Sequence, residues 1–208
     1  MQRFLDVGRL ALILGGLLLA TGAGLQAATS GGDPFSVQVT TSAFTVSAAL
    51  RLVGAVALVV GFTALSLPAA DRAGRLGLIA YVLVVANLIL QAGWIWADLF
   101  ISGALAANAP EVLDGSADDA RMGVGFMLAW LFNTAFVLLG IALLRSRTSP
   151  RGVGAAVIIM GAITLLPMPF DGPVYEVIIG AMAALAGVLA VRTATAPLTA
   201  TYPEVLPA

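Results

Sequence analysis

Apolar runs of about twenty residues recur along this chain, and that is the length a helix needs to cross a hydrocarbon layer about 30 Å thick. Six segments qualify or come close: 10–27, 47–67, 76–101, 122–144, 152–166 and 173–191. The fold class expected from them is an all-α membrane protein, a bundle of six transmembrane helices spanning residues 1–192. The fifth run is short and ends in "PMPFDGP", whose prolines cannot continue a helix, so 152–191 reads as a helical hairpin.

The first run also has the make-up of a secretory signal, with basic residues ahead of an apolar stretch. No clean A-x-A site follows at a suitable distance, so it is read as a retained span.

Threading follows from the arginines. With the N-terminus inside, Arg3, Arg9, Arg72, Arg75, Arg145, Arg147, Arg151 and Arg192 all face the cytoplasm, and Arg121 alone lies in an outer loop. Both termini are therefore expected to be cytoplasmic. Acids collect in the outer loops, at Asp33, Glu111, Asp114, Asp118, Asp119 and Asp171. The inner turns "PAADRAGR" (68–75) and "RSRTSPRG" (145–152) are short, as antiparallel neighbours require. The outer connections, 28–44 and 102–121, are longer and are the expected place for extramembrane recognition. The tail, 193–208, has three prolines and no periodicity and reads as flexible and cytoplasmic. A faint echo between segments two–three and four–five, "GRLG" against "RGVG", leaves an internal repeat open.

Composition agrees with a bilayer: of 208 residues, 60% are hydrophobic and only 10% charged. A net charge of −1 with no basic stripe argues against nucleic acid as a partner. With neither cysteine nor histidine, disulfides, thiolate nucleophiles, imidazole-held haem and the usual zinc sites are excluded, and no cofactor is expected. All ten basic residues are arginine, which with abundant alanine and glycine suggests a GC-rich genome and a bacterial cytoplasmic membrane.

The polar residues within the spans carry the functional question. Asp98 follows "QAGWIW", about 33 Å along the third span, where Trp94 and Trp96 fit an aromatic belt at the outer interface. Arg51 lies one or two turns below the outer start of the second span, where a lone guanidinium costs several kcal/mol, roughly, unless it snorkels or pairs. Its candidate partners at matching depth are Asp98 and Glu176, with Asp33 nearby in the loop; Asp98 is expected to be the nearer, because the second and third spans share a short turn. Such a cluster reads either as a structural ion pair or as a grip on an anionic headgroup. Asn87 and Gln91, followed by Trp94 and Asp98, form a polar stripe on the third span, and Asn133 and Thr134 lie at similar depth on the fourth. Asn87 and Asn133 are placed to bond across helices, or else to line a cavity. Small-xxx-small pairs at Ala20–Gly24, Ala57–Gly61, Gly180–Ala184 and Ala183–Gly187 predict close helix packing within the chain or with a protein partner or second copy.

No P-loop, HExxH or G-x-S-x-G motif is present. Three readings remain. The first is a non-enzymatic membrane protein acting by binding, as an accessory subunit or as a receptor for a lipid-like or anionic ligand at the outer leaflet. The second is a small transporter or channel with an outward-open polar path, and the third an intramembrane enzyme.

Overall fold

The computed structural model describes residues 2–115, Met127, 132–166 and 172–194, and among these every regular element is a helix. In chain order they are α1 (Gln2–Thr29), α2 (Phe35–Gln38), α3 (Ser42–Arg72), α4 (Arg75–Phe100), α5 (Ser102–Asn108), α6 (Pro110–Asp114), α7 (Thr134–Ser146), α8 (Arg151–Leu165) and α9 (Gly172–Ala194). Among the described residues, four stretches are long and apolar enough to cross a membrane: Gln2–Thr29, Ser42–Arg72, Arg75–Asn108 and Pro173–Arg192. The apolar helices α7 and α8 are shorter, 13 and 15 residues. Most of the expected fourth span ahead of Asn133, and the tail from 195, lie outside the described residues.

The helices outrun the apolar runs that predict them. α1 starts near the chain end, eight residues before Leu10, because Asp6 supports its first turns by accepting from Arg9 at 2.7 Å and from Gln2 at 3.4 Å. α3 starts earlier too, where the Thr41 hydroxyl caps it by accepting from the Phe44 N–H at 3.2 Å, and it continues through Pro68 to Arg72. Gly74, at φ 60°, turns the chain into α4, a conformation that suits a residue without a Cβ. A Cβ on Gly77 would collide with the Ala69 carbonyl, so this hairpin closes backbone against backbone.

Helices α1, α3, α4, α7, α8 and α9 pack side by side in that order, and α9 returns to α1, so the bundle is a closed ring. Neighbours run antiparallel: along α1, Gly8, Gly15 and Gly22 meet Ala64, Gly54 and Ser47 of α3 in turn. The ring is filled by Leu12, Leu58, Leu88, Leu139 and Leu143 around Phe62 and Phe136, whose centroids are 5.4 Å apart. Its outer faces are apolar as well, with Leu14, Val53, Leu78 and Ile89 more than half exposed, as expected of helices bathed in lipid.

Hydrophobic burial cannot drive such helices together when lipid is as apolar as leucine; close backbone packing must. A Cβ on Gly180 would come within 2.5 Å of the Gly16 carbonyl oxygen and 2.7 Å of the Ala20 amide nitrogen, so α1 and α9 touch through bare backbone. Gly187 and Gly61 serve the same end against Leu12. Gly24 does not, its nearest neighbour being Val177 at 3.9 Å.

At one end of the ring, the connections on either side of α3 and α4 fold into a small lobe. Phe35 meets Phe44 edge-on at 5.8 Å, and Val39, Phe44 and Ala48 are covered by Leu99, Ala106 and Leu113. Asp114 fastens it, accepting from the Ser36 N–H at 2.8 Å and from the Ser36 hydroxyl at 2.5 Å. These bonds hold the Asp114 carboxyl below the usual carboxylate range.

Two outcomes are expected. Gly180→Ala should lower stability by about 1–3 kcal/mol through overpacking, whereas Gly24→Ala should be neutral or mildly stabilising; thermal unfolding of the purified chain in detergent measures both. The Asp114 contact is fully present above the ordinary carboxylate pKa and is lost as pH falls through the lower folded value. Amide exchange in 30–41 and 102–115 should therefore quicken selectively in acid, and Asp114→Asn should show the fast exchange already at neutral pH.

Candidate functional site

Arg51 faces the ring interior from α3, 4% exposed. Its Nε donates to Glu176 Oε2 at 2.6 Å and its Nη2 to Glu176 Oε1 at 2.7 Å, the two-pronged pairing that suits a planar guanidinium. Nη1 donates to Gln26 Oε1 at 2.6 Å and, more distantly, to Asp98 Oδ2 at 3.4 Å. One side chain thus joins α3 to α1, α4 and α9.

Asp98 is therefore not the nearer acid, as the sequence had suggested. Ring closure brings α9 against α1 and aims Glu176 inward, and neither closure nor aim is visible in the order of the spans. Asp33 is exposed in the loop, where its carbonyl accepts from Gln38. Gln26 went unremarked in the sequence; the available signal was an amide in the last turns of the first span, at the depth of Arg51.

Deeper in the ring lies a second polar layer. Asn87 Nδ2 donates to Asn133 Oδ1 at 3.1 Å, Asn133 Nδ2 to the Tyr175 hydroxyl at 2.6 Å, and Tyr175 in turn to the Thr164 carbonyl at 3.1 Å. This chain links α4, the start of α7, α9 and α8. Tyr175 was also missed, although it sits beside Glu176 in "GPVYEV". Gln91 is half-buried one turn beyond Asn87, and Thr134 half-buried beside Asn133. Trp94 leaves the stripe: it is 51% exposed and Trp96 49%, the latter packed on Phe100 with centroids 5.4 Å apart, so both indoles face outward.

The site is chemically self-contained. The guanidinium is neutralised by the two-pronged Glu176, its remaining bonds go to Asp98 and Gln26, and Glu176 is 9% exposed. Among the described residues, no three of Asp, Glu, His or Cys converge as metal ligands. Toward the arginine-bearing turns the ring interior is mainly apolar, with Leu58, Phe62, Leu139 and Leu143 buried, and Ser66 also buried there with its hydroxyl unpartnered.

By fold, the described residues are all-helical, with four helices long and apolar enough to cross a membrane, a multi-pass architecture. No family model, curated protein or solved structure matches it, so its residues alone carry the argument about function.

Removing Arg51 strands two carboxylates inside the ring. Arg51→Leu should cost about 3–5 kcal/mol, and adding Glu176→Leu should restore more stability than adding Asp98→Leu. Arg51→Lys should rescue only partly, having lost the planar fork. Unfolding of these four variants, together with Glu176→Leu and Asp98→Leu alone, in one detergent decides it; strictly additive losses would show that the groups do not act as a pair.

Proposed function

We propose that this chain is a non-enzymatic membrane protein of six spans with both termini cytoplasmic, which acts by binding another membrane protein as an accessory subunit. The observation that carries the reading is that the two buried polar layers around Arg51 and Asn133 close on themselves, whereas Ser66, buried nearer the arginine-bearing turns, leaves its hydroxyl without a partner. Arg51 spends its bonds on Glu176, Gln26 and Asp98, and the asparagine layer ends on a backbone carbonyl. An anionic ligand would have to displace a two-pronged carboxylate to reach Arg51, which weighs against a receptor site there. The lobe built on Phe35, Phe44 and Leu113 offers a surface instead, with Val37 49% and Val112 64% exposed at its edge.

Antiparallel packing supports the threading, because it gathers Arg3, Arg9, Arg72, Arg75, Arg145, Arg147, Arg151 and Arg192 at the end opposite this lobe. The all-arginine base content supports a bacterial cytoplasmic membrane. A transport reading draws on the two polar layers, which descend from Asp98 to Asn87, but the apolar plug around Phe62 and Phe136 stands across any continuation.

The experiment has two arms. A photo-crosslinker at Val37 or Val112 in intact cells should give one discrete adduct, and the same probe at lipid-facing Leu14 should not. Purified protein in liposomes should show no ion or solute flux beyond protein-free vesicles; flux lost in the Arg51→Leu, Glu176→Leu double variant would replace the subunit reading with transport.

A further inference from the structure

At the end of the ring opposite the lobe, the helices part around a cavity of about 170 Å³. That is roughly ten times the space one water needs. Its walls come from four places: Arg9 and Leu12 on α1, Leu65 and Pro68 on α3, Thr148 and Ser149 in the turn before α8, and Ala190 on α9. Most of the lining is apolar, and one guanidinium-bearing and two hydroxyl-bearing residues stand among it. Arg9 donates to Asp6 at 2.7 Å, which occupies one of its five N–H groups. The Thr148 hydroxyl lies 2.9 Å from that of Ser146, a pairing that leaves acceptor and donor capacity on the two oxygens together.

The electrostatic setting selects the sign of an occupant. Arg3, Arg72, Arg75, Arg145, Arg147, Arg151 and Arg192 belong to the same end, whose described acids are Asp6 and Asp71. The height selects its kind, because the lining runs from Leu12 and Gly61, within apolar helices long enough to cross a membrane, to Arg9, Thr148 and Ser149 at their ends, where the headgroups of a bilayer would lie. We propose that this cavity binds the phosphate of an anionic phospholipid, held by Arg9 with Thr148 and Ser149, with Leu12, Leu65 and Pro68 against the first methylenes of its acyl chains. Basic pockets between membrane helices on the cytoplasmic side take acidic headgroups by this chemistry. Leucine and proline walls suit a lipid better than a free phosphate ion, which would remain hydrated on every side but one. The choice of inner leaflet rests on the proposed threading.

The test uses the purified full chain in a neutral detergent, titrated with phosphatidylglycerol, with phosphatidylcholine, or with inorganic phosphate at equal phosphate concentration, and follows thermal unfolding. Phosphatidylglycerol should raise Tm saturably and the other two should not. Arg9→Gln should weaken the apparent affinity roughly tenfold or more, the loss of one charge-assisted contact, and Arg3→Gln, which removes a charge outside the lining, should weaken it far less. Ser149→Phe, which adds bulk to the lining and keeps Arg9, should weaken it as well; unfolding without lipid checks that each variant is folded. Equal stabilisation by phosphatidylcholine, an equal shift with inorganic phosphate alone, or a phosphatidylglycerol response that survives both Arg9→Gln and Ser149→Phe would overturn the proposal. Binding in detergent is read without reference to threading. An impermeant thiol reagent on Ser30→Cys and Ser146→Cys reads threading without reference to lipid, so the failure of either is distinguishable from failure of the other.

Discussion

A guanidinium keeps its charge at any accessible pH, so once Arg51 lies inside a helical ring the surrounding helices must bring it partners. Glu176 supplies two oxygens, Gln26 a third and Asp98 a fourth, which commits α1, α4 and α9 to positions around α3 at one depth. A buried ion pair of this kind adds little net stability compared with apolar residues of the same shape, but leaving it incomplete is costly. Its effect is to exclude arrangements in which α9 sits anywhere other than beside α1.

The two polar layers divide the ring between them. The arginine layer engages α1, α3, α4 and α9, and the asparagine layer engages α4, α9, α8 and the start of α7. Every helix of the ring is therefore held by at least one polar bond to another. Beyond these layers the interior turns to leucine and phenylalanine. A polar route that ends against packed aromatic and aliphatic side chains is better suited to fixing a shape than to passing a solute. The surfaces left for interaction are then the terminal lobe, the cavity beside Arg9 at the opposite end and the lipid-facing sides of the helices.

Much of this was legible from the sequence, for reasons that differ residue by residue. The apolar runs of α1, α3, α4 and α9 stand out because a bilayer demands length, and length is counted directly. Arg51, Asp98 and Glu176 stand out because charge is rare in such runs, and Asn87 opposite Asn133 because their depths match. Rank among the partners was not legible. Depth along a helix can be counted, but which face of α9 points inward depends on ring closure, and closure depends on backbone contacts such as Gly16 on Gly180. The lobe escaped for another reason: the bond between Ser36 and Asp114 spans 78 residues, and neither has a local signature that distinguishes it from other loop polar residues.

Register is the remaining problem in a bundle whose inside and outside are equally greasy, since sliding one helix along another exchanges leucine for leucine at little cost. Tyr175 and Glu176 address it. Consecutive residues on a helix diverge by about 100°, so one turns toward Asn133 and Thr164 while the next turns toward Arg51. A slip of α9 by a single residue would break both layers at once and would also set a side chain against the Gly16 carbonyl where Gly180 now sits. Bare glycine contacts thus bring α9 close enough for short polar bonds to form, and those bonds allow the close approach at only one height.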